Sequence, residues 1–156
     1  EPRGLLAEQS DACFDQVFAV NLRALFQAMK AQVRLMLDQG GGVIVNNASV
    51  SGVRNPNPGF ALYSASKAAV ISLTRSAAME YAAQGLRINA LSPGRIVTPM
   101  MLGAKLADPE AVGQSLPIKR MGRPEEVADA LLWLASDAAA FVVGQNICVD
   151  GGFLAA

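Results

Sequence analysis

Gly40-Gly41-Gly42-Val43-Ile44-Val45 is the stretch on which the fold turns. Glycine runs end helices, because glycine is a poor helix former and readily takes the left-handed conformation that closes a last turn. The apolar run that follows is short and continuous instead of alternating, as expected of a strand covered on both faces of a parallel sheet.

Upstream of the glycines, Ser10 and Asp11 can cap a helix. Its apolar positions are Phe14, Val17, Phe18, Leu22, Leu25, Phe26, Met29, Val33 and Leu37, which predict one long amphipathic helix. Downstream, a loop rich in Asn, Pro and Gly covers residues 52–59. A helix is predicted over about 61–83, with Ala65, Ala68, Ala69, Ala77 and Ala78 leaving room for a close neighbour and Gly85 just past its end. Residues 87–91 read as the next strand, broken by Ser92-Pro93-Gly94 into a loop that runs to about residue 123. Pro124-Glu125-Glu126 opens a helix over 124–135, with proline and acids in its first turn, and 146–149 is a last strand closed by Asp150-Gly151-Gly152. This alternation of three strands with helices is that of an α/β, doubly wound (Rossmann-like) parallel sheet, and residues 1–156 form a single domain of it. Three strands are few for such a sheet, so the pattern predicts the C-terminal part of a larger one.

Composition narrows the function. Thirteen basic residues balance thirteen acidic ones, without a basic cluster, which argues against nucleic acid and for small-molecule substrates. No apolar run nears the roughly 20 residues that span a bilayer. Cys13 and Cys148 show no C-x-x-C spacing, so no disulfide framework or zinc site is predicted, and a reducing cytoplasm fits. The chain has no histidine, which excludes Ser-His-Asp and Cys-His catalysis. Glu1 stands where an initiator methionine would, so the chain is expected to begin within a longer protein.

The chemistry is carried by Tyr63-Ser64-Ala65-Ser66-Lys67. Residues at i and i+4 share a helical face, so the phenol and the ammonium can share a pocket. Bringing a tyrosine from its usual pKa of ~10 down by about three units takes roughly 4 kcal/mol. A unit charge at ~4 Å in an effective dielectric of ~20 supplies about that. The plain alternative is a solvated lysine beside a half-buried tyrosine. Ser49 follows the buried strand at its carboxyl end, where ligands bind in open α/β sheets, and Ser51 offers a second hydroxyl nearby. Asn21 falls on the apolar face of the first helix, where its amide needs a partner, either neighbouring backbone or something functional. Ser64-Ala65-Ser66-Lys67 also fits the S-x-x-K of penicillin-binding enzymes, but no lysine is followed by Thr-Gly or Ser-Gly and no Ser-Asp-Asn occurs.

Taken with Val20-Asn21-Leu22, Asn47-Ala48-Ser49-Val50-Ser51-Gly52, Arg87-Ile88-Asn89 through Ser92-Pro93-Gly94, and Gly122-Arg123-Pro124-Glu125-Glu126-Val127-Ala128, the chain resembles the C-terminal part of a short-chain dehydrogenase/reductase over practically its whole length. The resemblance implies hydride transfer between NAD or NADP and an alcohol or ketone. It implies Tyr63 as the acid/base and Ser49 as holder of the substrate oxygen, with Lys67 on the nicotinamide ribose and Asn21 anchoring a water that links Lys67 to solvent. Pro93, Gly94, Ile96 and Thr98 would form the loop beside the nicotinamide, where residue type alone reads only a Pro-Gly turn. Homodimer or homotetramer contacts would use the helices from Ser10 and Ala61. By composition alone, the loop from Met100 to Gly122, with Met100, Met101, Leu102, Leu106 and Leu116, suggests an apolar lid that would set substrate specificity. The alternative is a truncated, noncatalytic fragment or scaffold that acts by helix-mediated association.

The family's Gly-rich phosphate turn has no counterpart in these 156 residues. The 156-residue chain alone is therefore expected to be inactive and to show no micromolar binding of NADH or NADPH by calorimetry; clear binding by monodisperse protein would overturn this.

Overall fold

The Ser10 hydroxyl accepts from the Cys13 N–H at 3.2 Å and starts helix α1 (Asp11–Phe18), as the sequence predicts. The single long helix does not hold. A π turn, Ala19–Arg23, separates α1 from α2 (Ala24–Asp38), and the Ala24 N–H bonds to the Ala19 carbonyl, one residue further back than in an α-helix. The polar residue on the apolar face, Asn21, lies inside this widened turn.

The computed structural model describes residues 4–99, 101 and 108–156. Met100, Leu102 and Leu106 of the expected lid lie outside them, and Leu116 is buried beside Gly151. Strand β1 (Gly42–Asn47) pairs in parallel with β2 (Leu86–Pro93), which pairs in parallel with β3 (Asn146–Val149), giving the order β1-β2-β3. The crossover between β1 and β2 is helix α3 (Ala61–Tyr81), extended by a 3-10 turn at Ala82–Gln84 and closed by Gly85 at φ 85°. Glycine is needed there: a Cβ on Gly41 would sit 2.9 Å from the Gly85 carbonyl oxygen, so the two turns that enter β1 and β2 touch backbone to backbone.

Alternate residues of the strands point to opposite faces. Ile44 and Ile88 meet Met29 and Val33 of α2 and Ala77 and Ala78 of α3, forming the main core. Nearer the carboxyl ends, Ala48 and Ala90 meet Val70 and Ile71. Buried polar groups in these layers are paired: the Asn46 amide donates to Thr74 Oγ1 at 2.8 Å, and the Asn89 amide to the Val142 carbonyl at 2.7 Å. The loop expected between β2 and residue 123 contains a further helix, α4 (Pro109–Gln114), capped by the Asp108 carboxylate, which accepts from the Glu110 N–H at 3.0 Å. Helix α5 (Pro124–Ala135) has the bounds the sequence predicts and packs on the strands.

Arg87 ties α5 to the central strand. Its guanidinium donates to the carbonyls of Leu134 at 2.8 Å and Ala135 at 3.3 Å, which the end of α5 leaves open, and to those of Ser136 at 2.9 Å and Ala139 at 3.1 Å, which also accept from the Ala139 and Val142 N–H groups. Replacing it by methionine leaves these carbonyls without the fork, and Arg87→Met is expected to cost about 2–3 kcal/mol in denaturant unfolding. Arg87→Lys should recover less than half of the loss, since an ammonium cannot reproduce a planar fork.

Candidate active site

Lys67 lies in the second turn of α3, and its Nζ reaches across to donate to the Asn47 carbonyl, the last residue of β1, at 3.1 Å. The same ammonium stands 5.8 Å from the centre of the Tyr63 ring, one helical turn earlier, so phenol and cation share a face as their spacing predicts. The Phe60 ring meets the Tyr63 ring edge-on at 6.4 Å.

Ser49 lies two residues past the end of β1 and is buried. Its hydroxyl oxygen accepts from the Ser51 N–H at 3.1 Å and so caps the 3-10 turn Val50–Gly52. That bond occupies a lone pair and leaves the hydroxyl proton available for an oxygen in the cleft. The turn is pressed onto α3: a Cβ on Gly52 would lie 2.7 Å from the Lys67 carbonyl carbon and 2.8 Å from the Ala68 nitrogen. Further along, the Asn55 amide donates to Ser64 Oγ at 2.7 Å. The loop that carries Ser49 is thus held to the helix that carries Tyr63 and Lys67 by backbone contact and by side-chain hydrogen bonding.

Asn21 joins the group through a residue that sequence reasoning passed over. Its amide donates to Ser66 Oγ at 3.1 Å, and the fully buried Ser66 hydroxyl donates to the Tyr63 carbonyl at 2.7 Å. The partner of the amide nitrogen is thus a side-chain hydroxyl of α3 and not the neighbouring backbone. The signal available in the sequence was a serine inside a helix, three residues after the tyrosine, where a hydroxyl can bond back to its own turn.

Pro93 ends β2, and the Gly94 N–H donates to the Val149 carbonyl of β3 at 2.9 Å. Ile96 bridges Gly122 in parallel: the Gly122 N–H donates to Arg95 O and the Val97 N–H to Gly122 O, each at 2.9 Å. A Cβ on Gly122 would lie 2.6 Å from Ile96 Cδ1, so the side chain rests on the glycine. The Thr98 hydroxyl oxygen accepts from the Met101 N–H at 3.2 Å. The residues named for the nicotinamide loop therefore stand at the carboxyl end of β2, beside the end of β1 that carries Ser49. The arrangement brings a phenol, a fixed cation beside it, a buried hydroxyl and a half-buried loop together at the carboxyl edge of the sheet. Among the described residues no cluster suited to a metal ion occurs.

A family described as enoyl-(acyl carrier protein) reductase matches residues 2–154. The cis-4-hydroxycyclohexanecarboxylate dehydrogenase of Sinomonas cyclohexanicum is 43% identical over 155 residues, covering 99% of this chain and 62% of that protein. The crystal structure of levodione reductase superposes with a TM-score of 0.94 at 37% identity, covering 99% of this chain and 63% of that one. The structure of ElxO with NADP bound does so with a TM-score of 0.92 at 30% identity, covering 100% and 64%. The chain thus spans about three fifths of the length of each.

Glu126 holds the residues on either side of Gly122. The carboxylate takes both arms of the Arg120 guanidinium, at 2.7 and 2.8 Å, and accepts from the Arg123 N–H at 2.8 Å. The Arg120 hydrogen bonds first, and the Arg123 N–H second, pull the carboxyl from 4.5 to about 2. A depressed carboxylate stabilises the fold above its unfolded pKa and loses that contribution as pH falls through its folded one. The stability gap between wild type and Glu126→Gln is therefore expected to be constant above pH 4.5, to shrink below it and to close near pH 2. Thermal unfolding as a function of pH measures this.

Proposed function

The chain belongs to the short-chain dehydrogenase/reductase family, and on that premise we propose that the protein transfers a hydride between NAD or NADP and an alcohol or carbonyl substrate, with Tyr63 as the acid/base. The observation that carries the reading is the Tyr63–Lys67 pair on one face of α3, with the lysine anchored at the carboxyl end of β1. The donor set fits the nicotinamide end of a dinucleotide: an ammonium and a phenol for ribose hydroxyls, and the backbone of residues 94–98 for a carboxamide. The nicotinamide, when bound, supplies or accepts the hydride.

The protein's own residues handle the proton and the oxygen. Ser49 donates to the substrate oxygen and holds it in place. Tyr63 takes the hydroxyl proton in oxidation and returns it in reduction, while the Lys67 ammonium beside the ring stabilises negative charge on the phenol oxygen as the proton leaves. Asn21, in the π turn, anchors a water through which the proton reaches solvent. The neighbour with NADP bound supports the choice of cofactor. The names of the relatives, a cis-4-hydroxycyclohexanecarboxylate dehydrogenase and a levodione reductase, support small-molecule substrates. We place the protein in the cytoplasm as a homodimer or homotetramer. A groove between α2 and α3, with Phe26, Val33 and Leu73 in its lining and Lys30, Arg34 and Glu80 at the same surface, supports a helix-mediated contact between copies.

In the whole protein, Tyr63→Phe is expected to lower turnover by ~10²–10⁴ while leaving dinucleotide affinity nearly unchanged. Lys67→Met should weaken dinucleotide binding and move the profile of alcohol oxidation to higher pH. Ser49→Ala should cost far more turnover than Ser51→Ala. Turnover retained within about tenfold by Tyr63→Phe would remove it from the acid/base role, and the reverse ranking of the serines would transfer the oxygen contact to Ser51.

A further inference from the structure

The segments that leave the carboxyl ends of β1, β2 and β3 meet at a side chain that none of the roles above uses, Phe153. Arg54, just past the Val50–Gly52 turn, places its guanidinium carbon 5.6 Å from the centre of the Phe153 ring, and Arg95, within the 94–98 loop, places its own at 5.7 Å. Arg54 also donates to the Phe153 carbonyl at 3.1 Å and to the carbonyl of Ala156. The first arginine belongs to the Ser49 loop, the second to the loop assigned to the nicotinamide.

The platform beneath the ring is well built. The Asp150 carboxylate accepts from the N–H groups of Gly152 at 2.9 Å and Leu154 at 3.1 Å. Gly151 and Gly152 have φ of 62° and 88°, a left-handed succession that side-chain-bearing residues resist. A Cβ on Gly151 would stand 2.7 Å from Ile118 Cγ2, one on Gly152 3.0 Å from Pro117, and one on Gly94 2.7 Å from Asp150 Cα. The Asp-Gly-Gly that closes the last strand therefore packs directly on the 94–98 loop and on the segment after α4. An aromatic face at 153 is the part of this platform that can bind two cations at once, since the ring attracts guanidinium through its quadrupole.

We propose that Phe153 is a positioning residue: by binding Arg54 and Arg95 together it fixes the spacing between the Ser49 loop and the 94–98 loop, and so the width of the cleft between them. The catalytic meaning of that width rests on the function proposed above, but the coupling is a property of the fold and is tested without turnover.

The measurement is hydrogen exchange on the whole protein, followed at hydrogen-bonded amides of the two loops: Gly52, Val53 and Arg54, bonded within the first, and Gly94 and Val97, which bond the second to Val149 and Gly122. Phe153→Leu keeps the apolar bulk and deletes the ring face; Phe153→Tyr keeps the face. Exchange at both groups is expected to quicken about fivefold to tenfold in Phe153→Leu, the scale two exposed cation–ring contacts can supply. Amides in the centre of β2, such as Ile88, should keep their wild-type rates, and Phe153→Tyr should match wild type throughout. Unchanged rates in both loops would overturn the proposal. So would equal acceleration at Ile88, which marks general loosening, or a Phe153→Tyr variant as fast as Phe153→Leu. Because turnover is not read, failure here leaves the Tyr63 mechanism standing, and failure of that mechanism does not touch this result.

Discussion

The parallel pairing of β1 with β2 is the constraint from which the site follows. Parallel strands need a crossover, and the crossover helix must begin where the first strand ends. The first turns of α3 therefore lie at the carboxyl edge of the sheet, and those turns contain Tyr63, Ser66 and Lys67. Ser49, two residues past β1, lies at that same edge with Gly94 and Asp150, the first residues past β2 and β3. One topological requirement thus gathers side chains that are far apart in sequence, and the Lys67 bond to Asn47 is its direct expression, joining the helix to the end of the strand it crosses over from.

Register along that pairing is defended by polar groups. Asn46, Thr74, Asn89 and Ser92 are buried, and each has a partner. A slip of one residue would turn Asn89 toward the α2–α3 face and Ile88 toward α5, leaving the amide and the Val142 carbonyl unmatched. Each buried group so stranded costs about 1–3 kcal/mol, against a total stability of about 5–15 kcal/mol for a typical domain. Two such losses decide the matter, so the buried amides specify the alignment that the apolar residues merely favour.

Strands and helix ends were largely legible in the sequence because they depend on local chemistry. Gly40 to Gly42 and Gly85 mark real boundaries, and Ser10 and Pro124 start helices where their residue types require it. Helix α4 could have been found by the same logic, since Asp108 followed by Pro109 and Glu110 is a helix start, but the surrounding loop hid its shortness. The pairing of Tyr63 with Lys67 was legible because a four-residue spacing within one helix needs no tertiary information. What could not be read is what lies across elements: Ser66 as the partner of Asn21, Asn47 as the acceptor for Lys67, and the meeting of Arg54 and Arg95 on Phe153. The π turn was hidden for a related reason. Apolar spacing over residues 14–37 is compatible with an unbroken α-helix, and the widened turn becomes necessary only once Asn21 has a fixed partner on α3.

That turn has a consequence for which changes of length the chain can absorb. A π turn amounts to one extra residue within an α-helix, and each residue in a helix accounts for about 100° of rotation. That surplus residue is taken up inside the turn, so the helix on either side keeps the phase it would have without it. Removing a single residue between Asn21 and Ala24 would let the ladder close as continuous α-helix, with Phe14 and Phe18 on one side and Met29 and Val33 on the other near the faces they now occupy. A single-residue deletion in the regular helix between Ala24 and Met29 has no such slack and would turn everything before it by that angle, carrying Asn21 away from Ser66. The π turn is thus the one place along residues 11–38 where the chain can shorten by a residue without rotating the start of the helix against its end.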